Sequence, residues 1–335
     1  MEEKVPVTTI AHSDLVEVVG ELGSRFGAED YLRGLRPVRS WESRTSTLYQ
    51  LAAEDGSGVV LKVGKAWTTA KAREVYEDLR ALGDLLDHDP RLRIGVPRVF
   101  GWHDDPPSVC VAYVPGEDLS RKLSRRPSYL SSEVADAIEQ CGYALGVFHS
   151  DGLVESVDVE ELQARLVKMA RRILVGSDFV KSFDLAGLVS RRYGDFAPYN
   201  VRVTEEGAVC VLDQPSTRAV APIHRDVSYF LYRVERRLHQ CEDANPAELK
   251  QVQRRLQRIF LSAYAETGPR PLDSPDDRAL MALYAAHKNL RTARKRLQQR
   301  QYLDAPRFVA MALRERRRAL RIPSSARRRA SSGRS

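Results

Sequence analysis

The sequence predicts an α+β protein in two lobes: a small strand-rich first lobe with one main helix, and a larger, mainly helical second. Three observations predict it. A chain of 335 residues exceeds what one hydrophobic core usually serves. Short apolar runs bounded by turn residues crowd the first third, at 37–51, 59–63, 96–102 and 108–113. From Ser132 onward apolar residues recur at helical spacing.

Residues 14–26 read as an amphipathic helix with Leu15, Val18, Val19 and Leu22 on one side. The run 40–47 inside the following strand region has no glycine and is rich in Ser and Thr, a turn composition. After Gly56 and Gly58, the apolar strand 59–63 is interrupted by Lys62, which is costly to bury without a partner. Helix 70–86 carries an inward stripe of Val75, Leu79, Leu82 and Leu86, bordered by Glu74 and Glu77. Asp104, Asp105, Pro106 and Pro107 form a turn between strands 96–102 and 108–113. Helix 132–149 has Val134, Ile138, Cys141, Leu145 and Phe148 on one face and Ser131 or Ser132 as its cap. His149 at its end is read as a partner of the helix dipole and the orphan carbonyls. A helix over 158–175 starts on an acid and stops at Gly176. Residues 246–320 are mostly helical, with one stripe of Val252, Leu256, Ile259, Phe260 and Tyr264 and another of Met281, Leu283, Tyr284 and Leu290.

The chemistry gathers in 193–213. Val201, Arg202 and Val203 alternate as a strand, 204–207 supply turn residues, and 208–212 return. Such a hairpin sets Asn200, just before it, beside Asp213, just after it, with Asp195 on the preceding loop. Oxygen donors in that arrangement suit magnesium and phosphoryl transfer.

The run Gly194-Asp195-Phe196-Ala197-Pro198-Tyr199-Asn200 with Val211-Leu212-Asp213 resembles the catalytic loop and metal-binding Asp of the aminoglycoside phosphotransferase (choline-kinase-like) family. The resemblance implies a protein-kinase-like fold, ATP and Mg2+ as cofactors, Asp195 as the group that takes the proton of the attacking hydroxyl, and Asn200 and Asp213 as metal ligands. Tyr193 stands where that family usually has His. The resemblance also implies that Lys62 binds the α- and β-phosphates and pairs with a glutamate of helix 70–86, Glu77 being preferred to Glu74. It points to Ser43 and Ser46 of the glycine-free loop as phosphate contacts, with a plain serine turn as the competing reading. The run Tyr113-Val114-Pro115-Gly116-Glu117-Asp118-Leu119 is similar to the family's hinge, where main-chain groups of Ala112 and Val114 would bind adenine. Asp226 corresponds to an Asp that hydrogen-bonds the catalytic-loop backbone, while a plain helix cap is nearly the same expectation. Gln214 after Asp213 departs from the protein-kinase Asp-Phe-Gly signature and tilts the reading to a small-molecule kinase.

No stretch approaches the ~20 apolar residues of a membrane helix, and residues 1–4 lack a secretory pattern, so a cytoplasmic location is expected. Cys110, Cys141, Cys210 and Cys241 are scattered and read as free buried thiols. The formal charge of +8 is confined to the end of the chain. Residues 286–335 hold 16 Lys+Arg and 2 Asp+Glu, leaving 37 basic and 43 acidic residues before them. Lys288, Arg291 and their neighbours are read as a solvated helix face running into a disordered tail; binding of nucleic acid or another polyanion is the less favoured alternative.

The domains are expected at 1–113 (with 1–30 a helical extension), 114–322, and a basic tail from 323 to 335. The expected function is ATP- and Mg-dependent transfer of the γ-phosphate to a hydroxyl of a sugar, amino alcohol or aminoglycoside-like antibiotic. The alternative is a catalytically weak kinase-fold binding protein whose Arg-rich end contacts a polyanion or acidic partner. Glu155, Asp158, Glu160 and Glu161 would serve a cationic acceptor, with solvated helix residues the stronger reading. Arg202, Arg218, Arg225 and Arg233 would equally suit an anionic one.

Overall fold

The computed structural model describes residues 11–321 apart from 44, 55, 155–157, 186, 242–243, 301 and 303–304, and without the side chains of 12, 159 and 216–218. Arg44, Glu155, the Arg218 side chain and the basic tail therefore lie outside the described residues. From the N-terminus the elements are α1 (His12–Phe26), α2 (Glu29–Leu32), β1 (Arg36–Glu42), β2 (Ser46–Ala52), β3 (Gly58–Gly64), α3 (Thr69–Asp87), β4 (Ile94–Gly95), β5 (Val99–Asp104) and β6 (Pro107–Ala112). Next come β7 (Glu117–Asp118), α4 (Leu119–Lys122), α5 (Ser132–Asp151), α6 (Val159–Arg172), α7 (Ser177–Lys181), β8 (Val189–Arg192), β9 (Val201–Val203), β10 (Val209–Val211) and β11 (Ser216–Pro222). Four helices follow: α8 (His224–Leu238), α9 (Pro246–Thr267), α10 (Pro275–Gln298) and α11 (Ala305–Arg321).

The chain divides into two compact units. One holds Met1–Pro90, Gly95–Gly116 and Thr204–Gln214; the other holds Arg91–Ile94, Glu117–Val203 and Pro215–Ser335.

In the first unit, β1-β2-β3-β6-β5 form an antiparallel sheet in that order. Successive strand residues point to opposite faces, and the two faces bury different helices. Tyr49, Leu51, Val59, Leu61 and Cys110 share a core with Leu15, Val18, Val19 and Leu22 of α1 and Leu32 of α2. Val109, with Val99 and Val111 beside it, packs against Ala72, Val75 and Leu79 of α3. Because Leu61 faces α1, Lys62 falls on the α3 face, opposite Val109 in the β3–β6 register. The α1 stripe is thus a full core face, each of its four side chains contributing roughly 1.5–3 kcal/mol by burial.

In the second unit, Leu162, Leu166 and Met169 of α6 and Phe179 of α7 pack with Leu280, Leu283 and Ala286 of α10 and Ala319 of α11. β8 and β11 pair antiparallel, and β7 pairs with β9. Ser131 caps α5 by accepting a hydrogen bond from the Val134 N–H, and Asp158 caps α6 from Glu161. The helix expected over 158–175 ends earlier, at Arg172, with Leu174 turned to a left-handed φ of 56°. His149 also departs from expectation. It is fully buried, and its Nδ1 lies 2.9 Å from the Tyr264 hydroxyl.

A column of rings runs through this unit. Tyr193 lies edge-on to Phe148 and Phe196 at centroid distances of 5.2 and 4.8 Å, Phe196 is 5.3 Å from Phe230, and Phe230 stacks on Phe260 at 4.8 Å. The column joins α5, the loop before β9, α8 and α9.

Candidate functional site

Lys62 donates from Nζ to Asp213 Oδ1 at 2.7 Å and to Gln214 Oε1 at 3.3 Å, and its ammonium lies 5.8 Å from the centroid of the Trp67 ring. The pair is half-buried, with side chains 21% and 27% exposed, so the strand lysine has the partner its burial requires. Gly64 keeps Trp67 in place: a Cβ there would sit 1.9 Å from the indole Cγ. The expected pairing with Glu77 is corrected. Glu77 accepts from Arg73 Nε at 2.8 Å one turn away on α3, with its side chain 56% exposed, while Glu74 pairs with Lys71 at 2.7 Å. Short-range i,i+3 and i,i+4 partners on the helix satisfy both glutamates, and Asp213 takes the lysine.

Ser43 and Ser46 bond to each other. The Ser43 hydroxyl lies 2.8 Å from that of Ser46, donates to the Ser46 carbonyl at 2.9 Å and accepts from the Ser46 N–H at 3.0 Å. Ser46 is 1% exposed. This is the closed serine turn, the competing reading, rather than a pair of hydroxyls turned to a phosphate. At the expected hinge the Ala112 N–H is held by the Arg98 carbonyl at 2.8 Å, which leaves the Ala112 carbonyl as its candidate ligand group; Val114 has interactions of its own. In the turn between β9 and β10, the Thr204 N–H donates to the Ala208 carbonyl at 2.9 Å, and Gly207 adopts a φ of 80°.

In the second unit the loop carrying Asp195 is held from below. Asp226, in the first turn of α8, does not cap its own helix. It accepts from the Tyr193 N–H at 2.6 Å and from the Gly194 N–H at 3.4 Å, as the resemblance implied. Gly194 has a φ of 96°, a left-handed conformation that side chains with a Cβ disfavour. Tyr193 lies in the ring column already described.

Asp195 sits among aromatic hydroxyls. Tyr199 and Tyr229 both donate to its Oδ1, at 2.5 and 2.7 Å, and their own oxygens are 2.9 Å apart. Each phenol has one proton. With both protons directed at the carboxylate, the contact between the tyrosines is a close approach without a proton of its own. The Arg233 guanidinium donates to the Tyr229 hydroxyl at 2.7 Å and stacks over the rings of Tyr229 and Tyr199 at 4.9 and 5.2 Å. Lys288 of α10 points its ammonium at the Tyr229 ring, 3.9 Å from the centroid. Burial pushes the Tyr199 and Tyr229 hydroxyls up, so they remain donors at neutral pH. Burial first, then the charge of Arg233, pushes the Lys288 ammonium down to about 8 against the pull of Asp195. Both tyrosine bonds fall on Oδ1, leaving Oδ2 for a further ligand.

Asn200 donates from Nδ2 to the Asp195 carbonyl at 2.9 Å, an orientation that leaves its amide oxygen for a cation. Among the described residues there is no cluster of three or more His, Cys, Asp or Glu side chains that could hold a metal. The Asn200 amide and, in the first unit, the Asp213 carboxylate are each hard oxygen donors of the kind magnesium takes. Arg202 is held by Asp118 at 2.8 Å, and Glu161 by Arg165 at 2.5 Å. The helix reading of the acidic residues stands, and Arg202 drops from the set that faces a ligand. Sequence reasoning missed Tyr199, Tyr229 and Lys288 as neighbours of Asp195. The i,i+4 spacing of Tyr229 and Arg233 was the available signal.

No protein-family model and no curated protein matches the chain. Its fold is that of the kinase-like small-molecule phosphotransferases, a strand-rich unit followed by a mainly helical one. Two solved structures carry the likeness. A glucosamine kinase in complex with glucosamine, ADP and inorganic phosphate aligns at a TM-score of 0.51 with 14% identity, over 83% of this chain and 92% of that one. An amicoumacin kinase in complex with AMP-PNP, Ca2+ and Ami aligns at 0.52 with 13% identity, over 85% and 87%. Among the described residues no helix is long and apolar enough to cross a membrane.

Proposed function

We propose that the protein is an ATP-dependent phosphotransferase whose acceptor is a hydroxyl of a small molecule. The observation that carries this reading is the half-buried Lys62–Asp213 ion pair, formed by the residues that the motif resemblance assigns to the nucleotide phosphates and the metal. Lys62 holds the phosphate tail, and the Ala112 carbonyl and Val114 main chain hold adenine. Asn200 and Asp213 would supply oxygen ligands for Mg2+, whose charge would offset that of the phosphate oxygens.

Asp195 is the base. As the acceptor oxygen bonds to the γ-phosphorus, the bond from that phosphorus to the bridging oxygen breaks, ADP leaves with the electron pair, and the hydroxyl proton passes to Asp195 Oδ2. The tyrosines on Oδ1 fix the carboxylate plane, so the proton has one oxygen to go to.

Acceptor-dependent ADP release by wild type and Asp195→Asn tests the reading. The variant is expected to lose about 10²–10⁴-fold in kcat, with the KM for Mg-ATP unchanged. Wild-type protein that binds Mg-ATP yet releases no ADP with any of a broad set of sugars, amino alcohols and antibiotics would turn the reading to a kinase-fold binding protein.

A further inference from the structure

Some cations of the second unit pair with carboxylates and some do not. Arg202, Arg270, Arg314 and Lys122 are each within ion-pair distance of a carboxylate. Arg225, Arg233, Lys288 and Arg291 have no carboxylate within 4 Å among the described residues, and all four lie on the two helices beside Asp195. Their spacing explains the gathering. Arg225, Tyr229 and Arg233 recur every four residues along α8, one stripe of that helix. Lys288 and Arg291 are three apart on α10, whose Lys288 reaches the Tyr229 ring. Tyr232 and Thr292 also meet across the two helices, their hydroxyls 3.4 Å apart.

Arg225, Arg233 and Lys288 are partly buried and Arg291 is exposed; partly buried cations brought near one another are costly unless something negative completes the group. Asp195 is a single negative charge, and both its bonds run to tyrosines. Burial and the charges of Arg233, Arg291 and Arg225 hold the Lys288 ammonium low, and the nearby His287 ring is pushed down to about 4 by burial and by Arg291, Arg172, Arg225 and Lys288. Both groups feel an excess of positive charge.

We propose that the acceptor is a small phosphate ester, its anionic group held by Lys288, Arg225 and Arg233 while its hydroxyl is presented to Asp195. This rests on the phosphotransferase reading and narrows it, since an amine-bearing acceptor would meet the same cations as repulsion. The product is then a bisphosphate, with the new ester bond formed and ADP released as in the step given above.

The test compares ADP release with hexose 6-phosphates, pentose 5-phosphates and inositol phosphates, each beside its dephosphorylated parent and an amino sugar. A phosphate ester is expected to be the best acceptor. Lys288→Gln and Arg225→Gln should each lower its kcat/KM about tenfold, the loss of one charge-assisted hydrogen bond, without changing the KM for ATP. Circular dichroism checks that both variants fold, Arg225→Gln serving as the alternative if Lys288→Gln does not. A neutral or amine-bearing compound as best acceptor overturns the proposal, and so does an effect of the variants on ATP in place of the acceptor. If no acceptor is turned over, the phosphotransferase reading has failed, and titration with inorganic phosphate decides the anion site separately. Saturable binding that Lys288→Gln abolishes supports the site, whereas no binding, or binding indifferent to the variant, overturns it.

Discussion

Asp226→Ala probes how the proposed catalytic base, Asp195, is held. The side chain is buried and accepts two backbone N–H groups, from Tyr193 at 2.6 Å and Gly194 at 3.4 Å. The first is a short, charge-assisted bond in a dry site, and the second is long. Removing the carboxylate loses the first bond and leaves a buried donor unpaired, a cost of about 2–4 kcal/mol with the second bond adding little. For a chain of 335 residues that lowers Tm by roughly 3–6 °C, short of abolishing a fold stable by about 5–15 kcal/mol. Asp226→Asn keeps one accepting oxygen and is expected to lose about half as much. The loop from Tyr193 to Asn200 is then free to drift, so kcat should fall at least about tenfold while the KM for Mg-ATP stays unchanged. Thermal melts and acceptor-dependent kinetics measure both. An Asp226→Ala protein that melts with the wild type and keeps its kcat would refute the argument that this carboxylate anchors the loop.

Lys62→Met should abolish the rise in Tm that Mg-ATP gives the wild type, because it removes the proposed phosphate-binding cation and its ion pair with Asp213; an unchanged ligand-induced shift would contradict the nucleotide site. Acid should weaken the second unit through Asp277. Despite its burial, hydrogen bonds from His224, Arg270 and Ser274 hold this carboxyl well below the ordinary carboxylate range. Its folded pKa lies below the unfolded value of 3.8, so its contribution is full above that pH and is lost as pH falls below it toward the depressed folded value. Urea midpoints followed downward from about pH 6 should therefore drop less in Asp277→Asn than in wild type, although the variant starts lower; parallel slopes would count against the assignment.

Much of this was legible in the chain because it is local. Lys62 in an apolar strand and the turn after β9 follow from period, turn chemistry and cost of burial over short stretches, whereas the role of Asp226 came from the motif resemblance. The partner of Lys62 was misread because the choice lay between Glu77 and Glu74 of the next helix, and the residue it meets lies far along the chain. A neighbouring arginine on α3 took the glutamate, and a residue 151 positions away took the lysine. Lys288 was read as a solvated helix charge because the pattern of α10 says which residues are polar without saying which helix they meet. The hydroxyls of Ser43 and Ser46 satisfied each other, as turn serines do.

The ring column from Phe148 through Tyr193 and Phe196 to Phe260 ties the loop bearing Asp195 to the hydrophobic interior. The ring contacts couple the order of that loop to the interior. The loop's rigidity is borrowed from α9, a helix with no residue in the proposed chemistry, so a side chain trimmed there should register first as a misaimed Asp195 and only afterwards as a weaker fold.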